Sequence, residues 1–303
     1  MIDNEELYRL LQKLEIPCVS KNSDSSFSDT RRLDAIQEEV EKSNSRYRLI
    51  NGKKNYYKLY GQMKLEDLSK EYDRVILVSS HADNLQSEPR YQDVGDEIRG
   101  IFDNAGTNAV CTYIMKYASL PQNVLFGFTS DEEYGSKGAK KLAKKLKKYF
   151  GEGNVDVIVL DVTYGWQDGV DFTIENDFIY EKYQGELFIK KVCQAANDSG
   201  YSWQFLMADE DDKSMNFDEY ISSDTIAGYM KKYSEATGGC KTVVYAEGPD
   251  ESAEYDENDL NVFSLCLPCS ADSGYEMHSP AGFMISKRVV CNYTDFLMKV
   301  LGV

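Results

Sequence analysis

The spacing of apolar residues predicts a helical N-terminal segment that leads into a buried strand. Four leucines recur at helical spacing between Glu5 and Leu14, and Pro17 lies just beyond them. A stretch rich in Ser, Asp and Asn, Ser20 to Ser28, precedes a second predicted helix. The segment Arg74 to Ser79 is instead an unbroken apolar run rich in β-branched residues, which is typical of a strand buried on both faces of a parallel sheet.

Strands and helices alternate along the rest of the chain. We predict helices at residues 105–117, 136–150, 187–196, 223–233 and 289–301, and strands at residues 55–62, 124–128, 155–160, 172–174, 203–207, 242–245 and 262–267. This alternation predicts an α/β fold with three layers, α/β/α, around a mostly parallel mixed sheet. Two acidic stretches, residues 209–212 and 250–259, are predicted from their charge to be exposed loops.

Composition adds size and charge to this picture. The 303 residues, 42% of them hydrophobic, can bury a substantial core in one large domain or two smaller ones. With 51 acidic and 34 basic side chains the formal charge is -17, which would repel nucleic acid and anionic membranes. The chain lacks a leader pattern at its start and any apolar run of about 18 residues, and its seven cysteines are scattered. We therefore expect a cytoplasmic protein that binds neither nucleic acid nor membranes.

Polar segments follow the predicted strands at the edge where open α/β sheets form their sites. The carboxyl ends of parallel strands lie along one edge, so side chains that follow different strands can converge there. Five such segments occur, namely His81-Ala82-Asp83, Asp103-Asn104, Asp131-Glu132-Glu133, Asp161 and Met277-His278-Ser279-Pro280.

The two histidines of the chain, His81 and His278, both fall in these segments. Imidazole suits zinc and cobalt, and carboxylates can bridge two ions, so two histidines with three carboxylates describe a site for two metal ions. The adjacent carboxylates of Glu132 and Glu133 would repel each other unless a cation holds one of them. One can then be a ligand while the other stays free for general acid/base catalysis.

Five motifs together resemble the zinc aminopeptidases of the co-catalytic metallopeptidase clan, which includes glutamyl, deblocking and leucyl-type aminopeptidases. They are HAD at 81–83, FDNAG at 102–106, DEEYGSKGA at 131–139, LDVT at 160–163 and MHSP at 277–280, in the same order and at similar spacing. The resemblance implies a zinc-peptidase-like fold, two divalent ions with zinc favoured over cobalt or manganese, and a peptide substrate with a free N-terminus.

The resemblance also implies a role for each metal ligand. Asp103 matches the aspartate that bridges both ions. His81 and Asp161 match residues that complete one ion, and Glu133 and His278 match those that complete the other.

The catalytic roles follow from the same comparison. Glu132 matches the general base, which accepts a proton from a metal-bridged water. Asp83 matches the carboxylate that orients the first histidine, as ligating imidazoles generally require. The segment Ser223-Asp224 resembles a late SD or TD segment of these enzymes, and we leave Asp224 outside the ligand set.

The spacing departs from the glutamyl type, which carries a small β-barrel between the first two motifs. Only residues 84–102 intervene here, too few for that insertion, so neither the dodecameric shell nor the substrate preference of those relatives is carried over. The span between Asp161 and His278 is also short for a full lid. We expect one catalytic domain over residues 1–303, with a helical segment at about residues 1–50, and the sequence leaves the oligomeric state open.

The leading interpretation is therefore an aminopeptidase, and two others stay open. A carboxypeptidase or N-acyl amino acid deacylase of the same clan would differ in not requiring a free α-amine. A binding protein that keeps the fold but has lost catalysis belongs to another class, although the ligand set and the base are present in the sequence.

Overall fold

The computed structural model describes residues 2–18, 30–53, 56–84, 90–164, 169–175, 188–208, 242–245, 250–271 and 283–302. The α-helices are α1 Asn4–Leu14, α2 Arg31–Lys42, α3 Leu65–Glu71, α4 Phe102–Tyr117, α5 Lys137–Phe150, α6 Phe188–Asp198, α7 Ser252–Asp256 and α8 Lys287–Val300. The strands are β1 Arg48–Lys53, β2 Tyr57–Gly61, β3 Val75–His81, β4 Gln92–Val94, β5 Glu97–Gly100, β6 Val124–Thr129, β7 Val155–Tyr164, β8 Phe172–Glu175, β9 Trp203–Ala208, β10 Thr242–Tyr245, β11 Asn261–Ala271 and β12 Phe283–Ser286. The predicted helix at 223–233 lies outside these residues.

A mixed sheet runs through the protein in the order β1-β2-β6-β3-β7-β11-β8-β9-β10. The pairs β6-β3, β3-β7, β7-β11, β8-β9 and β9-β10 are parallel, whereas β1-β2, β2-β6 and β11-β8 are antiparallel. The end of β11 also pairs with β12, which continues through β5 to β4. The central strands β3 and β6 are buried, as their unbroken apolar runs predict.

Helices cover both faces of this sheet, which confirms the predicted three-layer fold. One face packs against α3, α5 and α7 through a cluster that includes Leu65, Leu146 and Tyr255. The other packs against α4, α6 and α8, and α1 and α2 lie against α4. The apolar stripe of α5 is buried, while its seven lysines occupy the remaining surface. Each fully buried leucine contributes about 2–3 kcal/mol to this packing.

Several elements differ from the sequence prediction for identifiable reasons. The strand β1 at Arg48–Lys53 is an exposed edge strand without apolar alternation. The hairpin β4-β5 occupies the interval between the first two motifs and is mostly exposed. The prediction of an exposed loop at 250–259 is wrong for its first half, because α7 buries Glu251 and Tyr255 against the sheet.

None of the helices formed by the described residues combines the length and the apolar character that a membrane crossing requires.

Candidate metal centre

Three ligand-type side chains meet at the carboxyl ends of the central strands. His81 ends β3, which pairs in parallel with β7 up to the partners Ser80 and Leu160, so Asp161 is next in register. Nε2 of His81 lies 3.1 Å from Oδ1 of Asp103 and 3.5 Å from Oδ1 of Asp161. The His81 side chain is only 1% exposed.

The start of α4 places Asp103 against these strands. Asp103 and Asn104 depart from helical geometry, and the peptide bond between them is cis. Nδ2 of Asn104 donates a hydrogen bond of 2.7 Å to the carbonyl oxygen of Leu160, the residue before Asp161. Regular helical geometry begins at Ala105, the predicted start of the helix. This break lets the chain present one carboxylate to the site before the helix begins.

A strained turn presents the acidic pair Glu132 and Glu133. It forms a short 3₁₀ segment, and Asp131, Gly135 and Ser136 around it have positive φ angles of 62°, 101° and 47°. The Gly135 N–H donates to the carbonyl oxygen of Glu132 at 3.1 Å. Left-handed backbone at residues other than glycine costs about 1–3 kcal/mol each and persists where the surroundings impose it. The turn is therefore held in one conformation by the structure around it.

Gly138, at the beginning of α5, allows the helix to approach this turn closely. Its N–H donates to the carbonyl oxygen of Ser130 at 3.0 Å, and the Ser130 N–H donates to that of Tyr56 at 3.0 Å. A β-carbon at Gly138 would lie 2.7 Å from the Ser130 carbonyl oxygen and closer still to the Ser130 nitrogen and the Tyr56 oxygen. The absence of a side chain is thus what lets α5 support the acidic turn.

Asp83 lies behind His81. Its Oδ1 is 3.5 Å from Nδ1 of His81 and 3.4 Å from the backbone N–H of Glu132, which donates to it. Nδ2 of Asn108 donates to the His81 carbonyl oxygen at 2.8 Å. Asp83 is therefore close enough to orient the imidazole, the role suggested by the sequence resemblance, and that role stays a prediction.

Burial and like charges make the acidic pair hard to ionise. Burial raises the pKa of Glu132 well above its ordinary value, and the neighbouring carboxylates of Asp161, Glu133 and Asp103 add to the shift, while His81 opposes it. Burial, with a further contribution from the carboxylate of Asp103, raises the pKa of Glu133 to about 9. Without a cation, Glu133 therefore holds a proton at neutral pH.

The same interactions act on the other two groups of the cluster. Burial lowers the pKa of His81, but the carboxylates of Asp161 and Asp103 outweigh it, so the pKa lies well above its ordinary value. Burial raises the pKa of Asp161 to about 6, and His81 opposes that shift. A divalent cation among these carboxylates would favour their ionised forms.

The donor atoms fit divalent cations. Two groups of three residues have ligand atoms within 4.8 Å of one another, namely His81 with Asp103 and Asp161, and His81 with Glu132 and Glu133. Oε1 of Glu133 is buried without a hydrogen-bond partner among the residues that the structure describes. A cation would provide that partner and offset the repulsion between the carboxylates.

Five of the six predicted metal and base residues thus come together. His81, Asp103, Glu132, Glu133 and Asp161 share one cluster. His278 and the segment Ser223-Asp224 lie outside the described residues. The predicted role of His278 as a ligand stays a prediction.

Sequence reasoning missed a buried polar cluster beneath the site. Glu251 is 1% exposed and accepts hydrogen bonds from the hydroxyls of Ser79 and Thr129, and the Tyr255 hydroxyl lies 2.7 Å from that of Ser79. Burial raises the pKa of Glu251 to about 7, and the two hydroxyls oppose the shift. Tyr255, the one aromatic residue in the acidic stretch 250–259, was the available sign that part of this stretch is buried.

Replacing Glu251 by Gln is expected to stabilise the metal-free protein at about pH 8 and to change little at about pH 5. The folded-state pKa of about 7 lies above the ordinary value of 4.5, so stability present below 4.5 is lost as the pH rises to 7. By linkage the loss reaches about 3 kcal/mol, and an amide that does not titrate escapes it. Urea denaturation at both pH values measures the difference. The same pH dependence in both proteins would contradict the prediction.

Comparison with known proteins adds a family relation. The model of peptidase family M28 matches residues 63–229, more than half of the chain. A search of curated proteins gave no significant match.

Solved structures share the fold at low sequence identity. The aminopeptidase APDkam598 from the archaeon Desulfurococcus kamchatkensis superposes with a TM-score of 0.60 at 10% identity, covering 99% of this chain and 96% of its own. The TET1 peptidase of Pyrococcus horikoshii, which can assemble into a tetrahedron or a large octahedral shell, gives 0.55 at 12% identity, covering 98% of both chains. A glutaminyl cyclase of Porphyromonas gingivalis gives 0.52 at 12% identity, covering 99% and 97%. These similarities support the fold.

Proposed function

This chain belongs to peptidase family M28, and we propose that it is a metal-dependent aminopeptidase that hydrolyses the N-terminal peptide bond of a peptide with a free N-terminus. The observation that carries the proposal is the cluster of His81, Asp103 and Asp161 beside the acidic pair, with its ligand atoms within 4.8 Å of one another. The family match and this cluster agree with the sequence resemblance, and the aminopeptidase structures of the same fold support the choice of substrate end.

The proposed cofactor is a pair of divalent ions, zinc in the first place and cobalt or manganese as alternatives. Asp103 would bridge the ions, His81 and Asp161 would complete one, and Glu133 and His278 would complete the other. When bound, the ions polarise the scissile carbonyl and lower the pKa of the attacking water.

Glu132 would transfer the proton. Its side chain is half-buried beside the ligand cluster, and its backbone N–H is anchored on Asp83. A carboxylate here can accept a proton from the attacking water and pass it to the leaving amine. Asp83 would hold the His81 ring in the orientation that ligation requires.

We also propose that the domain works in the cytoplasm on peptides. Cys111, Cys266, Cys269 and Cys291 are free thiols in the structure, as a reducing compartment favours. The hairpin β4-β5 stands where glutamyl-type relatives carry a barrel, so we propose a catalytic domain without that insertion.

Metal analysis and a substrate pair test the proposal together. Protein purified without chelator should hold about two equivalents of zinc, cobalt or manganese, and should cleave an aminoacyl fluorogenic amide but not its N-acetyl derivative. The variant Asp161→Asn should lose about one of the two equivalents of metal, and its activity should fall. A matched control, Asp156→Asn, changes the same residue type at the other end of β7, where Asp156 pairs with Arg74 away from the cluster.

The outcomes separate the competing functions. Release of acetate from the N-acetyl derivative would favour a deacylase, and release of a C-terminal residue from a peptide would favour a carboxypeptidase. Metal binding without hydrolysis of any of these would favour a binding protein. Absence of metal after addition of all three ions would overturn the mechanism.

A further inference from the structure

A buried arginine of the N-terminal segment supports the loop that carries two of the site residues. Arg32 is 0% exposed, although helix α2 lies at the periphery of the fold. Its Nη1 donates to the carbonyl oxygen of Ala82 at 3.0 Å. Ala82 lies between His81 and Asp83, and its carbonyl oxygen belongs to the peptide group before Asp83. This hydrogen bond therefore restrains the backbone between the two site residues.

The other nitrogens of Arg32 tie that loop to the chain after α1. Nε donates to the carbonyl oxygen of Leu14 at 3.1 Å, and Nη2 donates to that of Ile16 at 2.8 Å. The guanidinium is planar and presents its donors in a fixed fork, so three carbonyl groups from two segments are held in one geometry.

Two further contacts join the same segments. Cys18 and Asn84 are linked through the Cys18 N–H, which donates to Oδ1 of Asn84 at 3.3 Å, and through a backbone hydrogen bond of 3.0 Å. The buried carboxylate of Glu15 accepts the backbone N–H groups of Arg90, at 2.6 Å, and Ile101, at 2.9 Å. The N-terminal segment thus contacts both ends of the stretch that separates His81 from Asp103.

Charge gives Arg32 a second effect on the site. A guanidinium keeps its proton in proteins, and the carboxylates of Asp83 and Asp103 are among the charges that act on Arg32. A buried positive charge behind an acidic cluster offsets part of the repulsion among its carboxylates. Packing alone would not require an arginine at this position, since an apolar side chain would cover the same core.

We propose that Arg32 is a positioning residue for the metal centre, acting through the Ala82 carbonyl on His81 and Asp83. This inference rests on the proposed metal-dependent function. Arg32 lies outside the segment matched by the family model, residues 63–229, so the N-terminal segment of this chain supplies the support.

Zinc affinity measured on the full-length protein tests the proposal. The variants Arg32→Lys and Arg32→Met are titrated with zinc against a chromophoric chelator, and their Tm values are recorded without metal. Loss of outer contacts around a metal ligand weakens metal affinity by about 10- to 100-fold. We expect Arg32→Met to fall in this range and Arg32→Lys, which keeps the charge but not the fork, to lie between it and the wild type.

A control on the same helix separates positioning from general stability. Glu39 is buried in α2 and paired with Arg9, Lys13 and Lys116, away from the metal loops. Glu39→Gln should lower Tm while leaving the zinc dissociation constant of the folded protein unchanged. If Arg32→Met instead changes zinc affinity no more than Glu39→Gln does, Arg32 has only a structural role.

A second site keeps the test decisive if Arg32→Met does not fold. Asn84→Ala removes the side-chain acceptor of Cys18 and should also weaken zinc binding, whereas unchanged affinity in both Asn84→Ala and Arg32→Lys overturns the proposal. Wild-type protein that binds no zinc would instead refute the proposed function. The two failures are therefore distinguishable.

Discussion

Replacing Glu132 by Gln should lower kcat by about 10³-fold while metal content and KM stay close to those of the wild type. The amide has nearly the same shape as the carboxylate but cannot accept the proton of the attacking water. The backbone contact from the Glu132 N–H to Asp83 does not depend on the side chain and should persist. Steady-state kinetics with a free aminoacyl substrate and elemental analysis of the same preparation measure both quantities.

The neighbouring residue offers a matched control. Glu133→Gln makes the same chemical change one position along the same turn, but there it removes a proposed ligand. This variant should lose bound metal, and its activity should recover in part when the metal concentration is raised. If both variants lose metal equally, or if Glu132→Gln regains activity with added metal, the assignment of base and ligand to this pair is wrong.

Replacing Asp103 by Asn should remove both ions and reduce activity below about one thousandth of the wild type. A bridging carboxylate uses one oxygen for each ion, and an amide retains only one oxygen of the two. Asp103 also lies next to His81, at 3.1 Å, so its loss removes a charge partner of the imidazole. Metal stoichiometry after gel filtration, together with kcat/KM at saturating zinc, measures the effect.

Comparison with Asp161→Asn makes the bridging role testable. Asp161 is proposed to serve one ion, so its amide variant should keep about one equivalent of metal, whereas Asp103→Asn should keep none. Equal stoichiometry in these two variants would show that Asp103 is an ordinary ligand. Asp156→Asn, on the same strand as Asp161, should keep both ions.

The elements that were predicted correctly are those whose local pattern of apolar residues indicates which of their faces are buried. Strands β3 and β6 carry apolar runs because both of their faces are covered, and β10 at Thr242–Tyr245 matches its predicted limits. Strands β1 and β4 were missed because exposed edge strands need no apolar face. Strand β5, which pairs with β4 and β12, is short, and Ile98 is its one buried apolar side chain. Their position is set by pairing partners distant in the sequence, which a local pattern does not contain.

The residues of the site likewise fall into those that the sequence predicts and those that it does not. The residues at strand ends could be grouped from sequence because parallel strands bring their carboxyl ends to one edge. Arg32 and Glu251 could not, because each reaches the site through contacts with segments 50 or more residues away. A weak sign existed for Arg32, which shares a face of α2 with Ile36 and Val40 at spacings of four residues, and all three are buried. A charged residue that continues the apolar stripe of a helix can therefore be expected to be buried and to bind polar groups inside the protein.

The close packing of Gly138 limits how this protein can be engineered. Helix glycines are usual targets for stabilisation, because alanine lowers the entropy of the unfolded chain and improves helix propensity. At Gly138 the added methyl group would meet backbone atoms of Ser130 and Tyr56, which have no rotamer to move into. To fit the methyl group, the turn that bears Glu132 and Glu133 would have to move. Replacing Gly138 by Ala to raise the thermal stability would therefore lower kcat.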